Sequence, residues 1–141
     1  MPESGPIRED DPSIPDSEEL YRQILAEWIV REQSSGRQRF SSQTFADRNN
    51  EISVDLSSLT SPEACLGRGG ARFIGIAALM ASHARALGQV IVRDPIPADN
   101  PEHLPEDLAH ALICGPQPHS VRKRLAQNAR WVYPADANPL G

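Results

Sequence analysis

The chain has 141 residues, 39% of them apolar and 5% aromatic. Against the roughly 45–50% apolar content usual in globular chains, this allows one small core, built mostly from Leu, Ile, Val and Ala, and one domain. No apolar run approaches the roughly 18–20 residues of a membrane span, and Cys65 and Cys114 are too few for a disulfide framework or a four-cysteine zinc site. A large enzyme, a repeat array and a coiled coil are likewise excluded.

The net charge of −5 is unevenly placed. Residues 1–19 hold seven acids against Arg8 alone, whereas the rest hold 12 acids and 13 bases. The opening MPESGPIRED is acidic and has no apolar stretch, so it does not read as a secretory signal, and a cytoplasmic protein is expected. With Pro2, Pro6, Pro12 and Pro15 and few large apolar side chains, residues 1–17 are expected to form a disordered acidic leader. A compact domain over 18–133 and a flexible tail over 134–141 complete the expected organisation.

In chain order, Leu20, Ile24 and Trp28 recur at four-residue spacing, as do Tyr21, Leu25 and Ile29. This predicts an amphipathic helix over 19–30, with a short strand and turn as the alternative. Residues 31–50 read as a long polar loop carrying Phe40 and Phe45. Glu51–Leu56 alternates Ile52, Val54 and Leu56 with Ser53 and Asp55, the pattern of a half-buried strand. Ser61, Pro62 and Glu63 open a helix, which the glycines at 67, 69 and 70 stop. Residues 71–79 predict a buried strand passing into a short helix that Gly88 closes. A strand over 89–93, an irregular proline-rich connection over 94–107 and a strand over 109–115 follow. Ser120 is expected to cap a final helix over 121–132. The fold class is therefore α+β: a small domain with a short-stranded mixed sheet packed by two or three helices.

Chemistry-bearing motifs are sparse. No two histidines share a helix face at metal-ligand spacing, so no metal site is expected. Residues 67–70 (GRGG) lack both the P-loop and the dinucleotide glycine patterns. Cys65 reads as a packing residue. Arg122, Lys123, Arg124 and Arg130 form a basic side on the terminal helix, which would meet an acidic partner, nucleic acid phosphates or the chain's own leader.

The segments LYRQI (20–24), FSSQTFAD (40–47), EISVDL with TSPEACL (51–66), ARALGQVIVRDP (84–95), DNPEHLPEDLAHALICG (99–115) and VRKRLAQNARWV (121–132) resemble a group of short, uncharacterised bacterial proteins, which implies one compact domain and no stated activity. The front half also resembles RES-domain toxins, which are ADP-ribosyltransferase-like enzymes that consume NAD. LYR (20–22) is similar to their opening, and ISVDLSSLTSPEACL (52–66) to their strand followed by a helix. That resemblance implies Arg22 as the NAD-contacting arginine and Glu63 near the family's acid. Ser53 or Val54 stands where the family carries a tyrosine.

The primary expectation is a bacterial accessory protein that binds a protein partner and has no catalysis or cofactor of its own. Its contacts would be Arg39, Phe40, Phe45, Asp47 and Asp55, because aromatics and arginines dominate interface energetics. The alternative is NAD-dependent transfer or hydrolysis with Arg22, Ser53 and Glu63 around the nucleotide. Nucleic-acid binding through the basic side ranks third.

Overall fold

The structure, a computed structural model, describes residues 8–141. Its elements are β1 (Glu19–Leu25), β2 (Ile29–Arg31), β3 (Gln38–Phe40), β4 (Glu51–Leu56), α1 (Pro62–Gly69), β5 (Phe73–Met80), α2 (Ala81–Ala86), β6 (Val90–Arg93), β7 (His110–Cys114), α3 (His119–Asn128) and β8 (Arg130–Tyr133). Six strands form one sheet in the order β6-β7-β4-β1-β5-β8, and β2 with β3 makes a separate hairpin. The result is a small α+β domain. Every pairing in the sheet is antiparallel, where the sequence suggests a mixed sheet. Among the described residues no helix is long and apolar enough to cross a membrane.

Several elements form for the reasons their residues supply. In β4, Ile52, Val54 and Leu56 bury against the core. In α1, the Ser61 hydroxyl accepts the Ala64 N–H at 3.1 Å, satisfying one of the free donors of the first turn. The helix continues through Gly67 and Gly69 and ends only at Gly70, whose φ of 86° suits glycine alone. β5 passes directly into α2, and Gly88 at φ 79° turns the chain into β6.

Other segments differ from expectation. Residues 19–25 form the strand β1 and 26–28 a 3₁₀ turn, the strand-and-turn alternative and not the helix, with Leu20, Arg22 and Ile24 facing inward and Tyr21 and Gln23 on the other face. Six consecutive register pairs with β5, and a seventh past an irregularity at Ile24/Leu25, outweigh the weak propensity of so short a helix. The polar stretch 31–50 is ordered as the β2–β3 hairpin and two short 3₁₀ turns. The terminal helix is α3, which starts after Pro118 without a side-chain cap from Ser120 and ends at Asn128. Its expected last turn is instead β8, which pairs with β5. In the tail, Ala135–Ala137 make a 3₁₀ turn and Leu140 packs against the core.

The leader is corrected over 8–17; residues 1–7 lie outside the described residues. Ile14 is 1% exposed, in the same core cluster as Leu20, Ile52 and Ile113. The Asp11 N–H donates to the Ile91 carbonyl at 2.9 Å, and the Ile91 N–H donates to the Asp10 carboxylate at 2.9 Å, so the segment covers the edge of β6. One guanidinium, Arg85, bonds Asp10 at 3.1 Å, Asp16 at 2.8 Å and the Asp11 carbonyl at 3.1 Å. Arg93 pairs with Asp11 at 3.2 Å and Arg8 with Glu51 at 2.9 Å. Asp10, Asp11 and Asp16 thus meet Arg85 and Arg93 rather than the terminal helix.

Candidate functional site

β1 and β4 pair over only two residues, Leu20 with Leu56 and Tyr21 with Asp55. Beyond that point they part, while each stays zipped to its outer neighbour, β5 or β7. A cleft of about 420 Å³ opens there. Its walls are β1 and β4, the turn carrying Trp28, the C-terminal half of α1 with Arg68, the turn after it with Arg72, and the 96–107 connection with Leu104 and Asp107; His110 also lines it.

Arg22 occupies the gap between the parted strands. Its Nε donates to the Thr44 carbonyl at 2.9 Å and its Nη1 to the Ser53 carbonyl at 2.9 Å, with the Asp47 carboxylate 3.3 Å from Nη1. The guanidinium thus ties β1 to β4 at Ser53 and to the 3₁₀ turn at Thr44, where the strands themselves no longer pair. The guanidinium lies 5.2 Å from the centre of the Trp28 ring. The residue is 8% exposed, yet Nη2 has no hydrogen-bond partner among the described residues. Burial lowers the proton affinity of Arg22 and Asp47 opposes this; a guanidinium nonetheless stays protonated at neutral pH. A buried cation with a free donor can hold an anionic oxygen, and an adjacent indole can stack a planar ring.

A second polar group lies along the cleft. The Arg68 Nη2 reaches the Asp55 carboxylate at 2.9 Å, the Thr60 hydroxyl at 2.8 Å and the Asp107 carboxylate at 3.4 Å. Two nearly buried carboxylates facing one guanidinium cannot both ionise cheaply, so they share a proton. Burial and the neighbouring Asp55 push the Asp107 carboxyl up to about 7. For Asp55, burial acts upward, but hydrogen bonds with Asp107, Arg68 and the Cys65 thiol outweigh it and hold its carboxyl below the ordinary aspartate range. Burial and the Asp55 charge raise the Cys65 thiol far above its usual range, so it stays protonated and is no nucleophile. Burial lifts Cys114 to about 11.

His110 stands directly across from Asp55 in the β4–β7 register. Its Nδ1 lies 2.9 Å from the Asp94 carbonyl and 3.1 Å from the Asp94 carboxylate. No group of three or more His, Cys, Asp or Glu side chains among the described residues is arranged to hold a metal ion.

The expected site residues divide. Arg22 and Ser53 come together, though through the Ser53 carbonyl rather than its hydroxyl. Glu63 is exposed on the first turn of α1 and does not line the cleft. Of the expected partner contacts, Phe40 and Phe45 are buried in the core and cannot anchor a partner. Asp55 is buried against Arg68, and Asp47 lines the cleft beside Arg22. Arg39 alone projects away from both, paired with Glu32 at 3.4 Å. The basic side is also divided. Lys123 and Arg124 are exposed, Arg122 bonds the Gln117 carbonyl, and Arg130 lies on β8 paired with Glu19. Sequence reading misses Trp28, Arg68, Asp94, Asp107 and His110 as site residues. The only local hint is that Asp94 and His110 close the ends of two apolar strand patterns. No protein-family model matches the chain, and no curated protein or solved structure matches it significantly.

Proposed function

We propose that the cleft binds a nucleotide-like ligand, with a phosphate oxygen on Arg22 and a planar ring against Trp28, and that NAD-type dinucleotides are the first class to test. One observation carries this reading: a buried arginine, fixed by two backbone carbonyls and Asp47, keeps one donor unspent beside an indole in a cleft of about 420 Å³. That volume lies within the range of pockets for small molecules and cofactors. The similarity of the front half to RES-domain toxins implies the same arginine. Glu63 has no part in this reading, and the acids lining the cleft are Asp47, Asp55 and Asp107.

Docking of a protein partner through 31–50 and β4 is the weaker reading, because Phe40 and Phe45 serve the core. The test is thermal melting with NAD and with ADP-ribose at millimolar concentration, alongside an assay for nicotinamide release. An upward shift with either ligand supports the reading, and nicotinamide release adds turnover. No shift with either ligand removes it.

A further inference from the structure

We propose that His110 is the proton acceptor of the cleft, its bare Nε2 taking a proton from a water or hydroxyl held beside the ligand. The identity of that ligand rests on the nucleotide reading; the arrangement of the imidazole does not. A backbone carbonyl can only accept, so the 2.9 Å contact between Nδ1 and the Asp94 carbonyl places a hydrogen on Nδ1. The neutral ring then carries its lone pair on Nε2. That nitrogen has no hydrogen-bond partner among the described residues, and His110 lines the cleft.

The fold fixes this orientation. Asp94 follows the last residue of β6 and His110 is the first of β7, and the Asp94 N–H donates to the His110 carbonyl at 2.9 Å. The backbone ladder thus continues one step and carries the ring against Asp94. The charged groups around the imidazole are Asp94 after β6, Asp55 on β4, Asp107 on the 96–107 connection and Arg68 on α1. Asp94 orients the ring and stabilises the imidazolium once it forms, as a carboxylate does for histidine in hydrolytic triads. It is a positioning residue, since its contacts are with His110.

The step balances with water as the co-reactant. One water proton passes to Nε2, and the remaining O–H oxygen forms a bond to the electrophilic carbon of the ligand. The bond from that carbon to the leaving group breaks, its electron pair departs with the leaving group, and His110 releases the proton to solvent. With an NAD-type ligand the carbon is anomeric and the leaving group departs neutral.

The test reads the ring directly. Two-bond ¹H–¹⁵N NMR of the full chain, with His110→Gln to assign the signal, should show the Nδ1–H tautomer. Asp94→Asn, which removes the carboxylate acceptor from Nδ1, should lower the share of the Nδ1–H tautomer while the backbone spectrum is kept. Diethyl pyrocarbonate should carbethoxylate His110 at Nε2 in the folded protein. An Nε2–H tautomer in the parent overturns the proposal, and so does an unchanged tautomer share in Asp94→Asn. An unreacted His110 under conditions that modify the exposed His103 and His119 also overturns it. Because none of these readouts needs a ligand, failure of ADP-ribose to bind counts against the nucleotide reading alone.

Discussion

Phe45→Ala separates a core residue from a partner anchor. Phe45 is 1% exposed and belongs to the cluster that contains Leu20, Ile24, Phe40 and Leu125. Truncating a buried phenylalanine costs about 3–5 kcal/mol, from lost transfer energy and from the cavity left behind. Natural domains hold only about 5–15 kcal/mol in total, so the variant should lose a substantial share of the stability. At roughly 4 °C per kcal/mol for a domain of this size, melting should fall by about 12–20 °C. The loss should also reach the cleft, because the neighbouring Thr44 supplies the carbonyl that holds the Arg22 Nε. The assay is thermal and urea unfolding followed by circular dichroism, with Phe45→Leu as a milder control. A melting point within a few degrees of the parent, together with loss of a captured protein partner, would refute the core assignment and restore Phe45 as an anchor.

Three further outcomes follow from the packing and the charges. Asp107 has a folded-state carboxyl raised to about 7, so its contribution to stability is complete below the ordinary value of 3.8 and is lost as pH rises through about 7. At about 1.4 kcal/mol per tenfold change in proton affinity, the ceiling is about 4 kcal/mol, and partial solvent access with the opposite displacement of Asp55 reduces it to about 2 kcal/mol. Asp107→Asn should therefore flatten the fall in urea-unfolding stability between about pH 4 and pH 7; equal slopes in the two proteins would contradict a shared proton. Gly75→Ala should destabilise by about 2–3 kcal/mol, since a methyl there overlaps the Trp131 ring and the Tyr133 carbonyl; unchanged unfolding would show that β8 yields freely. Ile14→Ala should cost about 3 kcal/mol because Ile14 is a core residue, and a loss near zero would return residues 8–17 to an unstructured leader.

What the sequence made legible was local. The Ser61 cap with Pro62, the alternation in β4 and the apolar run closed by Gly88 all formed as their residues direct. β1 was obscured by its one inward-facing charge. A charged Arg22 sits at an inward position between Leu20 and Ile24, which breaks the strand alternation and leaves a helix-like four-residue repeat visible. The acidic leader looked unable to order because its partners, Arg85 and Arg93, lie about 70–80 residues away in the chain. Phe40 and Phe45 looked available because their stretch is polar, yet the core reaches beneath it. At the site, only the resemblance to RES-domain toxins put Arg22 near Ser53, and it also included Glu63, which lies outside the cleft. The Asp55–Asp107–Arg68 group and the Asp94–His110 pair were not readable from the sequence. They depend on strand order and on a connection whose prolines say only that it is irregular.

The most direct test of the cleft as a nucleotide site is an isothermal titration of ADP-ribose into the parent protein and into Arg22→Lys, each checked for native circular dichroism. Lysine keeps the charge but loses the forked donors, and a charge-assisted hydrogen bond is worth about 1.5–3 kcal/mol. The account predicts measurable binding by the parent and an affinity roughly 10–100-fold weaker in the folded variant. Equal affinity in the two proteins, or no heat of binding in the parent at millimolar ligand, would contradict it.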